Sequence, residues 1–192
     1  MLLSVQSLLV RVRHAPSRAD ELVELHRRLR RVRGERPDHA EHDAALAMRA
    51  IKQRLATLTA GVTCCSRCAV NRPWPRGAFT GGDCCSGNTA ELFDDDELAA
   101  LAQAGTRMRD LIAPRTEHAG CAFRGEHGCT LSPADRPGLC LHYLCDRLRG
   151  ELHARGQLDE VEQLTAKLDR QMQAFVAARE ARLDRAWLAP GD

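Results

Sequence analysis

The sequence predicts a mainly α-helical protein whose helical arms pack around an irregular, Gly- and Pro-rich cysteine-cluster core. Three observations predict it. Leucine, alanine and valine supply most of the apolar content and aromatics are only 4% of the 192 residues, a composition that favours helix over strand. Long segments at both ends repeat apolar residues at three- and four-residue intervals. All nine cysteines fall between Cys64 and Cys145, where that periodicity disappears. The chain therefore reads as one domain, long enough to bury a real core. Its parts are an N-terminal arm over 1–60, a cysteine-cluster core over 61–150 and a C-terminal helix over 157–188.

Leu2, Val5, Leu9 and Val12 mark a first helical face, interrupted by His14, Ala15 and Pro16. Ser17 reads as an N-cap, with Asp20 and Glu21 close to capping-box spacing. Leu22, Leu25, Leu29 and Val32 form the next face, stopped by Gly34 and Pro37. A third helix is expected over 39–59, striped by Ala44, Met48, Ile51, Leu55 and Leu58 and closed by Gly61. Together these two helices read as an antiparallel hairpin.

Between Cys64 and Ser86, residues such as Pro73, Pro75, Gly77, Gly81 and Gly82 leave no apolar period, so that stretch needs a staple to hold a shape. A short helix is expected from 94 or 95 to 104. Its acidic first turn (Asp94 to Glu97) suits the helix dipole and is not read as catalytic. Residues 115–138 read as loop. Helix resumes near 139 and runs to about 155, with Cys140 and Cys145 in its opening turns, until Gly156 breaks it. The last helix, about 158–187, carries a near-heptad stripe of Val161, Leu164, Leu168, Met172, Phe175, Arg179 and Leu183. The Leu-rich faces of the hairpin and of this last helix are expected to bury against each other.

A formal net charge of +2 gives no general affinity for polyanions. All but two of the 28 basic residues are arginine, the exceptions being Lys52 and Lys167. The densest basic run, Arg27 to Arg36, reads as a solvated helix face, so nucleic acid is not an expected partner. A protein partner on the helical arms is compatible with the sequence. Met1 to Val10 is too short to span a membrane and lacks a basic segment before its apolar run. A reducing cytoplasm is the expected setting, and there clustered cysteines hold metal more often than disulfides.

Cys65-x2-Cys68 has ligand spacing, and Cys84, Cys85, Cys121, Cys129, Cys140 and Cys145 complete a set of eight candidate metal ligands. Cys64 is a ninth, either extra or an alternative first ligand. His118, His127 and His142 each lie within three residues of a cysteine and are further candidates, as ligands or as partners of ligands. Soft thiolate donors select zinc, copper(I) or iron–sulfur centres over magnesium or calcium. Disulfides and inert buried thiols are the competing readings, weakened by the odd count and by the loop setting of most of the cysteines. On a regular helix Cys140 and Cys145 would point about 140° apart, so they share one site only if the helix starts between them.

The order of these pieces is Cys65-x2-Cys68, Cys84-Cys85, Gly120-Cys121-x-Phe123, Gly128-Cys129, Arg136-Pro137-x2-Cys140 and Cys145. Over about residues 64–145 it resembles the bacterial cysteine-cluster family of CxxCxxCC type, described as a zinc- or iron-chelating domain. The gap of 15 residues between Cys68 and Cys84 is longer than the family's, Arg124 stands where the family has Leu after Phe, and Leu141 stands where it has Arg. The resemblance implies an iron–sulfur cluster or zinc as cofactor. A flagellin lysine methyltransferase carries a related cluster.

Three functions are compatible with these readings: an iron–sulfur or zinc protein with a structural or electron-transfer role, a cluster-dependent methyltransferase or oxidoreductase, and an interaction scaffold with purely structural zinc. The chain has no Gly-x-Gly-x-x-Gly, phosphate-binding loop or nucleophile elbow, and no Cys-x3-Cys-x2-Cys, so no catalytic residue is assigned.

Overall fold

The computed structural model describes residues 9–10, 12–13, 16–67, 89–115, 120–125 and 128–188. The fold is mainly α. Helices α1 (Pro16–Arg33) and α2 (His39–Leu58) form the hairpin, followed by a single turn, α3 (Cys64–Arg67). After the next described stretch begins come α4 (Thr89–Leu92) and α5 (Asp95–Gln103), then a two-stranded antiparallel sheet of β1 (Arg124–Gly125) and β2 (Gly128–Cys129). A 3₁₀ turn (Pro133–Asp135), α6 (Gly138–His142), α7 (Asp146–Ala154) and α8 (Leu158–Leu188) complete the order.

The periodic faces are the buried ones. Leu22, Leu25, Leu29 and Val32 of α1 are buried, as are Ala44, Met48, Ile51, Leu55 and Leu58 of α2 and Val161, Leu168 and Phe175 of α8. Each leucine so removed from water contributes about 2 kcal/mol. The main partner of α8 is α2, as the two Leu-rich faces require, while α5 lies against both hairpin helices. Phe93 and Phe123, both fully buried with ring centroids 5.5 Å apart, join this layer to the cysteine region.

Ions fasten the same elements at their rims. Arg28 and Arg31 of α1 both pair with Asp95 of α5; Arg28 is largely covered there, while Arg31 stays exposed like most of the basic run. Arg179 of α8, read from the sequence as part of an apolar stripe, instead pairs with Glu35 at 2.6 Å and with Asp96. Arg182, one turn on, pairs with Glu35 at 2.8 Å and with the fully buried Glu41.

Three local expectations are corrected. Helix α1 starts at Pro16, which places Ser17 inside its first turn and not at the N-cap, because the fixed φ of proline suits that turn. Helix α2 has the capping box, formed by Asp38 and Glu41. The helix expected from 139 to 155 is two helices: Tyr143 leaves α6 in an extended conformation, and Cys145 stands at the N-cap of α7 with φ −68° and ψ 161°. Of the first expected helix, Leu9 and Val12 are helical but exposed, and the rest of that stripe lies outside the described residues.

Candidate metal centre

Cys65, Cys121, Cys129 and Cys140 come from four separate segments and line one cavity of about 360 Å³. Its apolar walls include Leu55 of α2, Leu92 of α4 and Leu148 of α7. A distinct polar contact sets each thiol-bearing segment in place.

Cys65 sits on α3, whose first turn is capped from outside. The Glu151 carboxylate on α7 accepts hydrogen bonds from the Thr63 and Cys64 backbone N–H groups at 2.8 and 3.0 Å. Those bonds hold the Glu151 carboxyl below its ordinary pKa. The Cys64 thiol packs against the apolar core. Burial, with Cys65 and Glu151 adding to it, pushes its pKa up to about 12. Cys65, by contrast, is exposed at the cavity.

Cys121 is buried, and its loop hangs on Thr89. The Ala122 N–H donates to Thr89 Oγ1 at 2.9 Å, and that hydroxyl donates to Glu21 at 2.8 Å. Burial pushes the Cys121 thiol up to about 11, so it carries its proton at neutral pH. Cys129 lies on β2 directly across from Arg124 on β1, so the two side chains leave the same face of the ribbon. Gly128, between them in sequence, has φ +114°, which a side chain would strain.

Cys140 enters through Arg136-Pro137-Gly138, which a buried ion pair grips from behind. Lys52 Nζ donates to Glu97 Oε1 at 2.8 Å and to the Arg136 carbonyl at 2.7 Å. The other Glu97 oxygen accepts from the Gly138 N–H at 3.0 Å. The pair is almost sealed from water, at 3% and 9% side-chain exposure. Arg136 turns its guanidinium back to the Leu131 carbonyl at 3.0 Å and the Cys129 carbonyl at 3.5 Å, linking the Cys129 and Cys140 segments.

Other expected ligands are placed elsewhere. Cys145 is half-buried at the start of α7 and does not line the cavity. His142 Nδ1 meets Asp169 of α8 at 3.0 Å on the surface. Cys68, Cys84, Cys85, His118 and His127 lie outside the described residues. Among the described residues, no three His, Cys, Asp or Glu side chains converge tightly enough to hold an ion.

No family model, curated protein or solved structure matches this chain.

Arg124 and Arg136 also line the cavity, and sequence reasoning assigned neither to the site. Arg124 carried one signal, a charge where the cysteine-cluster pattern expected from the sequence has leucine. Lys52 carried another. It falls among Met48, Ile51 and Leu55 on the apolar face of α2, where an ammonium needs a buried partner.

Proposed function

We propose that this chain is a cysteine-cluster metal protein, with an iron–sulfur cluster or zinc held by Cys65, Cys121, Cys129 and Cys140 in a structural or electron-transfer role. One observation carries the reading: four cysteines separated by up to 75 positions line the same cavity. Free cysteines used only as small core residues have no reason to gather there. The donor set is all sulfur, which fits zinc or iron–sulfur centres and not hard cations. Such a group supplies either cross-linking of the loops or a reversible one-electron site when bound. The chain's own residues position the thiols, and of the four only Cys121 is buried.

The test is metal and sulfide quantification with visible absorption on protein purified without oxygen, for wild type and for the double variant Cys121→Ser, Cys140→Ser. Wild type is expected to hold iron with acid-labile sulfide, or zinc, and the double variant to hold less than about a tenth as much. Full metal content in the double variant, or none in wild type, would overturn the reading.

A further inference from the structure

We infer that residues 179–188 of α8 are an ionic latch: an arm held to the start of α2 by charge, which releases as ionic strength rises while the rest of α8 stays packed. Two different forces hold the two parts of this helix. Up to Phe175 it is anchored by burial, with Val161, Leu168 and Phe175 inside the core and Leu164 and Met172 packed against it. Past Phe175 no apolar side chain of α8 is buried or joins that core. Leu183, Trp187 and Leu188 are all exposed.

In their place stand Arg179, Arg182 and Arg185, three residues apart and so along one flank of the helix. Each meets carboxylates on other elements. Arg179 grips both oxygens of Glu35, at 2.6 and 3.1 Å, and also reaches Asp96 of α5. Arg182 donates to Glu35 at 2.8 Å and to both oxygens of Glu41. Arg185 donates to Asp38 at 3.0 Å. Asp38 and Glu41 are the capping box of α2, so two of the three arginines bind the residues that start that helix. Glu41 is fully buried with Arg182 against it.

Salt separates the two forces. Raising ionic strength from about 0.1 to about 1 M shortens the reach of a charge from about 10 to about 3 Å, and exposed pairs such as Arg185–Asp38 feel it most. Apolar burial has no charge to screen. A helical end this short without tertiary support is marginal in water, so the released arm frays. Release uncovers a notch of carboxylates, Glu35, Asp38, Glu41 and Asp96, at the start of α2.

Hydrogen exchange read by mass spectrometry on the full-length chain resolves the arm from the packed part of α8. Between about 0.05 and about 1 M sodium chloride, exchange over 179–188 is expected to quicken about 10-fold, while 161–175 changes by less than about 2-fold. In the double variant Arg179→Gln, Arg182→Gln the arm should exchange at the wild-type high-salt rate in both buffers, with 161–175 still protected. The double variant Arg179→Lys, Arg182→Lys keeps both charges, so its arm should exchange more slowly than the glutamine variant at low salt and should still respond to salt. An arm equally protected at both salt concentrations, or one that exchanges together with 161–175, would overturn the inference. So would a glutamine variant that keeps the wild-type salt response, or one that fails to fold, since the arm would then belong to the core. Lysine and glutamine variants that exchange alike would show that side-chain shape and not charge holds the arm, and would overturn it as well.

Discussion

The buried Lys52–Glu97 pair offers the sharpest check on how the cysteine region is held. Replacing Lys52 with Met leaves the Glu97 carboxylate 9% exposed without its cation and removes the donor to the Arg136 carbonyl. Breaking one side of a buried pair costs about 3–5 kcal/mol. For a chain of this size each kcal/mol moves the melting temperature by about 2–4 °C, so a fall of about 10 °C is expected. Glu97→Gln should cost a similar amount by stranding Lys52, although its remaining carbonyl can still accept from Gly138. The double variant removes both charges together and should recover most of the loss, settling within about 2 kcal/mol of wild type. Urea denaturation followed by circular dichroism, run as a double-mutant cycle on metal-free protein, measures the coupling. Single variants within about 1 kcal/mol of wild type, or strictly additive costs, would refute the account of the clamp.

Two further outcomes are expected. Leu168→Asp places a carboxylate at a position 2% exposed in the α2–α8 interface, loses about 2 kcal/mol of burial and adds the penalty of an unpaired charge, so the thermal transition should fall steeply or vanish; an unchanged transition would mean that α8 does not pack on α2. Burial holds the His26 imidazole below its ordinary pKa against its hydrogen bond to the Leu111 backbone, so below about pH 6.5 the unfolded chain takes up a proton that the folded one resists. Stability is then full above that pH and is lost as pH falls toward the depressed folded value. His26→Leu should flatten this loss in urea titrations at pH 5 and 7.5, and equal slopes in the two proteins would exclude it.

The helical framework was legible because its signal is local. Leu22, Leu25, Leu29 and Val32 repeat at the helical period, and all four are buried. The Arg179 stripe position was misleading, since period alone does not reveal that Glu35 of the α1–α2 turn and Asp96 of α5 face it. The break at Tyr143 was hidden because Leu141, Leu144 and Leu148 keep helical spacing across it. The hairpin at Cys129 was invisible for a different reason: strands of two residues cannot show an alternating pattern. At the candidate site, residue type named the cysteines, but only tertiary placement separates Cys65, Cys121, Cys129 and Cys140 at the cavity from Cys64 and Cys145 outside it. The buried cation Lys52 depends on Glu97, 45 positions away, and on the Arg136 carbonyl, 84 away, which no local pattern reports.

The two ends of the cysteine region leave the helical framework side by side. Arg155, just past α7, donates to the Ala60 carbonyl just past α2 at 2.7 Å, across 95 positions of sequence. The helices thus pinch the chain into a closed ring at this neck. Bringing the ends of a free segment of that length together costs about 4 kcal/mol of chain entropy. Helix packing has already met that cost, so whatever holds the cysteine region acts on a chain already closed at its neck. On the proposed metal reading, lengthening the segment between Cys68 and Cys84 should weaken metal retention far less than loosening the neck at Ala60 and Arg155.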